Sequence, residues 1–132
     1  MSSATSRKAR PKYLNLFELS LAQPLPAVLS ILHRISGELL FFPGALWLLY
    51  LLDRSLASPE GFAAVKRYIT LWPAKVALIV FIWLFWHHFF AGIRYLFLDL
   101  DKGADKETSR TTSWAVFAAG AAVTLWLGAK IW

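Results

Sequence analysis

The chain has 132 residues and is 58% hydrophobic, with 7 Trp and 10 Phe, a composition too apolar for a small soluble domain and typical of an integral membrane protein. The absence of cysteine excludes disulfides, Fe–S ligation, thiolate metal sites and covalently attached c-type haem. The basic residues behind the formal charge of +6 concentrate at the start of the chain and beside apolar segments, which indicates a membrane topology signal and no nucleic-acid partner.

Three apolar segments are long enough to cross a bilayer, which requires about 20 mostly apolar residues. They run over residues 29–52, 71–98 and 112–132. Each must be helical, because a helix satisfies its own backbone hydrogen bonds in lipid. The prediction is therefore an all-α membrane protein with an N-terminal arm over residues 1–28 and a three-helix transmembrane anchor over residues 29–132.

The connectors between the spans are short. Residues 53–70 contain a polar turn at 58–61, and a short interfacial helix is predicted around 62–68. Residues 99–110 form a charged connector that contains glycine. Neither connector is large enough to be a separate domain.

The distribution of basic residues predicts the orientation, because cytoplasmic flanks of membrane proteins retain Lys and Arg. With the N-terminus inside, the cytoplasmic side holds Arg7, Lys8, Arg10, Lys12, Lys102, Lys106 and Arg110, and the outer side holds Arg54, Lys66 and Arg67. We therefore expect a cytoplasmic N-terminus. The histidines and arginines of the first two spans then gather in the inner half of the membrane.

A polar stripe runs along the first span. Its members recur at helical spacing on one face: Ser30, His33, Arg34, Gly37 and Glu38. Ionisable groups in a membrane span are costly and mark functional sites by default. This face is predicted to be turned away from lipid.

A histidine pair lies in the most aromatic stretch of the chain, in the second span. By helical counting, His88 shares a face with Gly92, Tyr95 and Asp99, whereas His87 points about 100° away. His88 is therefore the better candidate for an inward ligand, and Gly92 leaves room for a flat macrocycle or a neighbouring helix. A membrane histidine can also serve only to hydrogen-bond another helix, and the residues alone leave both interpretations open.

The third span carries a stripe of small residues, Gly120, Thr124 and Gly128, which is typical of tight helix packing. We predict packing there and no chemistry. For Arg94, near the end of the second span, anchoring at lipid headgroups and a functional role both stay open.

Two local sequences resemble the signatures of a known family, the cytochrome b subunit of succinate dehydrogenase, one of two small anchor proteins in respiratory complex II. They are Ser-Ile-Leu-His-Arg-Ile-Ser-Gly at residues 30–37 and His-Phe-Phe-Ala-Gly-Ile-Arg at residues 88–94, followed by Asp99. Further similarity lies in Arg-Pro and Leu-Asn-Leu within residues 10–16, and in Ser-Pro-Glu-Gly-Phe at residues 58–62. The resemblance spans nearly the whole chain.

The resemblance implies a role for each matching residue. His88 matches one axial ligand of haem b, the other ligand coming from a second anchor subunit. His33 and Arg34 match positions near the haem propionates. Ser30, Ile31 and Arg34 match positions that line the ubiquinone pocket beside the iron–sulfur subunit.

The resemblance also implies a heteromeric helical bundle in a bacterial inner membrane. The implied partners are the second small anchor subunit, the iron–sulfur subunit and the flavoprotein subunit, which would carry out the succinate chemistry. One departure from the family is Tyr95, where many members have a second histidine. Tyrosine keeps a hydrogen-bonding tip but loses the titratable imidazole.

Two other functions remain open on the residues alone. One is the anchor of a fumarate reductase, in which the same electron path runs in the opposite direction. The other is a non-redox membrane scaffold or proton-relay subunit, in which the histidines pack or carry protons. A b-type absorption band separates the scaffold from the redox anchors.

Overall fold

The computed structural model describes Glu18 and residues 22–132. Its helices are α1 (Leu25–Ala57), α2 (Pro59–Ile69), α3 (Trp72–Asp99) and α4 (Lys106–Ile131). Helices α1, α3 and α4 are each long and apolar enough to cross a membrane. The predicted all-α fold with three spans is confirmed.

The predicted N-terminal arm lies mostly outside the described residues, as do the matching motifs within residues 10–16. Its last residues belong to α1, because the helix begins at Leu25 and not at residue 29. Pro26 lies in the first turn, where the missing N–H of proline removes no helical hydrogen bond.

The first connector is much tighter than predicted. Helix α1 continues to Ala57, and Ser58 alone separates it from α2. Ser58 is extended, and its hydroxyl accepts a hydrogen bond from the backbone N–H of Gly61 at 3.0 Å. A Cβ atom on Gly61 would overlap the carbonyl oxygen of Arg54, so the absence of a side chain lets α2 lie against the end of α1.

Helix α1 changes its hydrogen-bond pattern halfway. Leu40–Ala45 form a π-helical segment between two α-helical parts, and Pro43 lies inside it. Proline cannot donate the N–H of a regular helical bond, and a π segment is one way in which a helix accommodates the disruption. This segment forms part of the wall of a groove described below.

Helix α3 is central, with α4 on one side and α1 on another. Against α4, a Cβ atom on Gly120 would lie 3.6 Å from the backbone of His87, and one on Gly128 would lie 3.7 Å from Ile79. Thr124 is buried, and its hydroxyl donates to the Gly120 carbonyl at 2.7 Å. The predicted packing role of this small-residue stripe is confirmed.

Consecutive spans run in opposite directions. Leu29 of α1, Ala91 of α3 and Val116 of α4 form one buried cluster, so the beginning of α1 meets the last part of α3 and the first part of α4. His33 and His88 lie together in this half of the bundle. That this half is the inner one stays a prediction.

Helix α4 begins at Lys106, before the predicted residue 112, because Asp105 caps it. The Asp105 carboxylate accepts a hydrogen bond from the Thr108 N–H at 2.9 Å, and this bond holds the pKa of that carboxyl below its usual value. In the preceding connector, Asp101 and Gly103 have φ values of 56° and 78°. These two residues turn the chain back toward the bundle.

Candidate functional site

His88 projects from α3 toward α1. Its Nδ1 atom lies 3.0 Å from the carbonyl oxygen of His33 and 3.2 Å from the hydroxyl oxygen of Ser36. Ser36 donates its own hydrogen to the same His33 carbonyl at 2.8 Å, so both neighbours can only accept from Nδ1. This network requires a proton on Nδ1, so the lone pair of a neutral His88 imidazole is the one on Nε2.

The Nε2 atom of His88 is free to bind a ligand. It retains accessible surface and has no hydrogen-bond partner among the described residues. His88 lines a groove of about 630 Å³ between α1 and α3, whose walls include Gly44 of the π-helical segment and Phe85 of α3. A histidine whose second nitrogen donates to a backbone carbonyl has the arrangement found in metal-ligating imidazoles.

Gly37 allows His88 to approach α1. A Cβ atom at this position would lie 2.8 Å from Cε1 of His88 and 3.3 Å from its Nδ1. The sequence placed Gly37 on the polar stripe but gave it no role, and it gave none to Ser36. The available signal was their spacing, because both residues follow His33 by about one helical turn.

His33 packs beside His88 on the same interface. The two rings stack with centroids 4.2 Å apart and planes 12° apart, and the ring of Tyr95 lies 5.0 Å from that of His33. The His33 Nε2 atom and the Tyr95 hydroxyl are both buried without a hydrogen-bond partner among the described residues. Buried polar atoms are nearly always paired, so this interface calls for a ligand or partner that supplies the missing bonds.

The space beside Gly92 is occupied by α1. A Cβ atom on Gly92 would lie 3.7 Å from Nε2 of His33, which is an ordinary contact distance. A neighbouring helix, one of the two occupants expected there, therefore lies beside Gly92.

The three residues matched to a quinone pocket lie on α1 outside this histidine cluster. Ser30 is half-buried, whereas Ile31 and Arg34 are exposed. None of them has a side-chain hydrogen bond to a described residue. His33 turns toward α3, so Arg34, about 100° further around the helix, faces away from the bundle. Arg34 and His33 thus lie on different faces of α1, and the placement of both near haem propionates stays a prediction.

His87 is also inside the bundle, but against α4. It is 0% exposed, and its ring lies 5.0 Å from the ring of Trp83 and 5.2 Å from that of Phe117. Neither ring nitrogen has a partner among the described residues. Helical counting correctly predicted that the two histidines point in different directions. It could not show that His88 meets α1 while His87 meets α4, because this depends on the central position of α3.

Among Glu18 and residues 22–132, no group of three His, Cys, Asp or Glu residues could hold a metal ion. A haem takes four ligands from its own macrocycle and needs only axial ligands from protein, so one free imidazole is a suitable contribution.

The fold and the site define a helical integral membrane protein that presents a histidine between two of its spans. The chain matches the sequence model of the family described as "Succinate dehydrogenase/Fumarate reductase transmembrane subunit" over residues 6–127, and it belongs to that family.

Three relatives have the same name, "Succinate dehydrogenase cytochrome b556 subunit". The protein from Coxiella burnetii is 36% identical over 125 residues, which cover 93% of this chain and 97% of the relative. The protein from Paracoccus denitrificans is 33% identical over 95 residues, or 72% of each chain. The protein from Rickettsia typhi is 27% identical over 103 residues, or 78% of this chain and 79% of the relative.

Proposed function

We propose that this chain is the haem b-binding membrane anchor of a succinate:quinone oxidoreductase. The observation that carries the proposal is His88, whose Nδ1 proton is held by the His33 carbonyl while Nε2 is left free. The cytochrome b556 name of the relatives agrees with it. Haem b, when bound, supplies a one-electron redox centre, and the protein sets its position and surroundings.

The residues around His88 fit a haem with propionate groups. Nε2 of His33, which can donate when protonated, and the hydroxyl of Tyr95 are buried polar atoms without partners in the described chain. A propionate is anionic and costly to bury, and hydrogen bonds from such donors lower that cost. Tyr95 thus keeps a donor at the position where many family members have histidine. Arg34 would contact a propionate only if the propionate lay at the exposed face of α1, between this chain and a partner subunit.

In the proposed assembly, partner subunits provide the haem ligand and the succinate chemistry that this chain lacks. One imidazole here leaves the second axial ligand to the other small anchor subunit. Arg34 is costly to leave in lipid, so we place partner subunits against the exposed face of α1 that holds it. Succinate oxidation belongs to the flavoprotein subunit, with the iron–sulfur subunit between it and the membrane.

Ser30, Ile31 and Arg34 are our candidates for the ubiquinone pocket. They lie in the first turns of α1, near the helix end that the basic residues assign to the cytoplasm of a bacterial inner membrane. A hydroxyl and a guanidinium can donate hydrogen bonds to the quinone oxygens, and Ile31 offers an apolar wall. The names of the relatives favour succinate oxidation over fumarate reduction as the working direction.

The spectrum of the purified complex tests the haem proposal. We expect a b-type band in the reduced-minus-oxidised difference spectrum. A non-redox scaffold or proton-relay subunit predicts no such band, so its absence from an intact complex would overturn the proposal.

The quinone site needs a separate assay. Ser30→Ala and Arg34→Ala should lower quinone reduction more than succinate oxidation with an artificial acceptor. The matched control is Ser55→Ala at the other end of α1, whose hydroxyl only bonds the Leu52 carbonyl. Equal loss in both assays, or an equal effect of the control, would contradict a quinone site at these residues.

A further inference from the structure

Arg94 is a buried cation without a counter-ion in the described chain. Its side chain is 7% exposed. Nε donates to the Thr112 hydroxyl at 3.0 Å, and Nη2 donates to the Ser109 hydroxyl at 2.7 Å and carbonyl at 3.3 Å. These acceptors are neutral, and Arg94 forms no ion pair with a described carboxylate. A charge buried in a membrane protein is expensive unless it is paired, so an anion is expected beside it.

The remaining guanidinium nitrogen of Arg94 is available for that anion. Nη1 has no hydrogen-bond partner among the described residues and retains accessible surface. Arg94 lines a groove of about 440 Å³ between the end of α3 and the beginning of α4. The charged residues that line this groove are both cations, Arg94 and Lys102. The other walls are mainly apolar and include Phe90, Ile93, Phe97 and Val116.

The connector holds Lys102 at the groove. The backbone N–H of Lys102 donates to the Phe97 carbonyl at 3.1 Å, and Gly103 turns the chain with its φ of 78°. Two positive groups therefore lie at the helix ends, and an apolar wall continues along the spans. A ligand that fits both parts has an anionic head and a hydrocarbon chain.

We propose that this groove binds an anionic phospholipid, with its phosphate between Arg94 and Lys102 and an acyl chain along the apolar wall. The groove lies on another face of α3 than His88, because Arg94 is about 120° around the helix by counting; its contact with the histidine cluster is the Tyr95 ring, whose centroid lies 5.6 Å from the guanidinium. The lipid site therefore does not depend on the haem proposal. An anionic lipid supplies the charge that Arg94 lacks and covers apolar surface between two spans.

Native mass spectrometry of the purified membrane complex tests the proposal by titration with phosphatidylglycerol. Lys102→Gln should weaken the tightest lipid-binding event about fivefold, the effect of one basic residue at a membrane surface. The matched control is Lys106→Gln, which removes the same charge from the exposed start of α4, outside the groove. Ala115→Phe, at an exposed groove position, should also weaken binding because it fills the acyl-chain path while both cations remain.

Three results would overturn the proposal. One is an equal effect of Lys102→Gln and Lys106→Gln. Another is binding of phosphatidylcholine as tight as that of phosphatidylglycerol, which would remove charge recognition. The third is displacement by inorganic phosphate at the same concentration as the lipid, which would indicate a free-anion site. Unchanged melting temperature of each variant serves as the folding control.

Discussion

Helix α3 has two interfaces of opposite character. Toward α4, small residues such as Gly120 bring the backbones close, and Thr124 satisfies its hydroxyl within its own helix. Toward α1, two stacked histidines and Tyr95 leave buried polar atoms unpaired in the described chain. Close packing of small residues dominates the first interface, whereas the second is built around stacked rings with polar atoms unpaired in the described chain.

The difference follows from what drives association in lipid. Close packing of small residues gains dispersion contacts without any polar group, which suits α4. Two polar residues of α3 are exceptions at that interface. The ring of His87 is packed between aromatic neighbours with both nitrogens unpaired in the described chain, and Arg94 donates hydrogen bonds to Thr112 and Ser109. At the α1 interface, the contacts instead orient the His88 imidazole.

The largest expected effect separates the two histidines. His88→Ala should remove nearly all b-type haem from the complex, because the free Nε2 is lost. His87→Phe is the matched control, which keeps an aromatic ring between Trp83 and Phe117 and should retain haem. Haem content per complex, measured as the pyridine haemochrome, checks both. Equal loss in the two variants would show that the comparison between the interfaces is wrong.

The next effect concerns the α4 interface alone. Gly120→Leu should destabilise the bundle by about 1–3 kcal/mol, because the new side chain meets the His87 backbone. Gly120→Ala should be tolerated, since its Cβ atom would lie 3.6 Å from that backbone. Thermal unfolding in detergent measures the difference. A Leu variant as stable as the Ala variant would mean that this contact is loose.

A smaller effect is expected at Gly37. The Cβ atom of Gly37→Ala would lie 2.8 Å from the His88 ring and should displace it, weakening haem retention by about tenfold, as when the support of a metal ligand is lost. Gly92→Ala makes the same chemical change at an ordinary 3.7 Å contact and should retain haem. Transfer of haem to an apo-acceptor protein gives the rates. Equal rates would contradict the role assigned to Gly37.

The smallest effect is the pH response of the α4 start. The pKa of Asp105 is lowered by its bond from the Thr108 N–H, so the cap stabilises the helix above the usual carboxyl range. That contribution is lost as pH falls below about 4 through the lowered pKa. Hydrogen exchange at Thr108, corrected for intrinsic rates, should show it, and Asp105→Asn should remove the pH dependence. The same profile in both proteins would exclude the carboxylate.

Much of this arrangement could be predicted from the sequence because it depends on local periodicity. The three spans, the direction of His88 and the packing stripe of α4 all follow from residue spacing and hydrophobicity. The Asp105 cap also had a local signal, an aspartate directly before the first helical residue.

The rest depends on which helices become neighbours. The burial of His87 requires α3 to be central, and the role of Gly37 appears only when His88 is placed against it. Arg34 and His33 are adjacent in sequence but face different surroundings, because one turns toward α3 and the other is exposed. Helical spacing gives angles around one axis and not the identity of the neighbour in each direction.

An experimental density map of the purified complex is the most direct test of the central claim, that α1 and α3 hold a haem through His88. We predict iron bonded to Nε2 of His88 while Nδ1 remains hydrogen-bonded to the His33 carbonyl. Iron bonded to His87, or His88 without any iron in the intact complex, would contradict it.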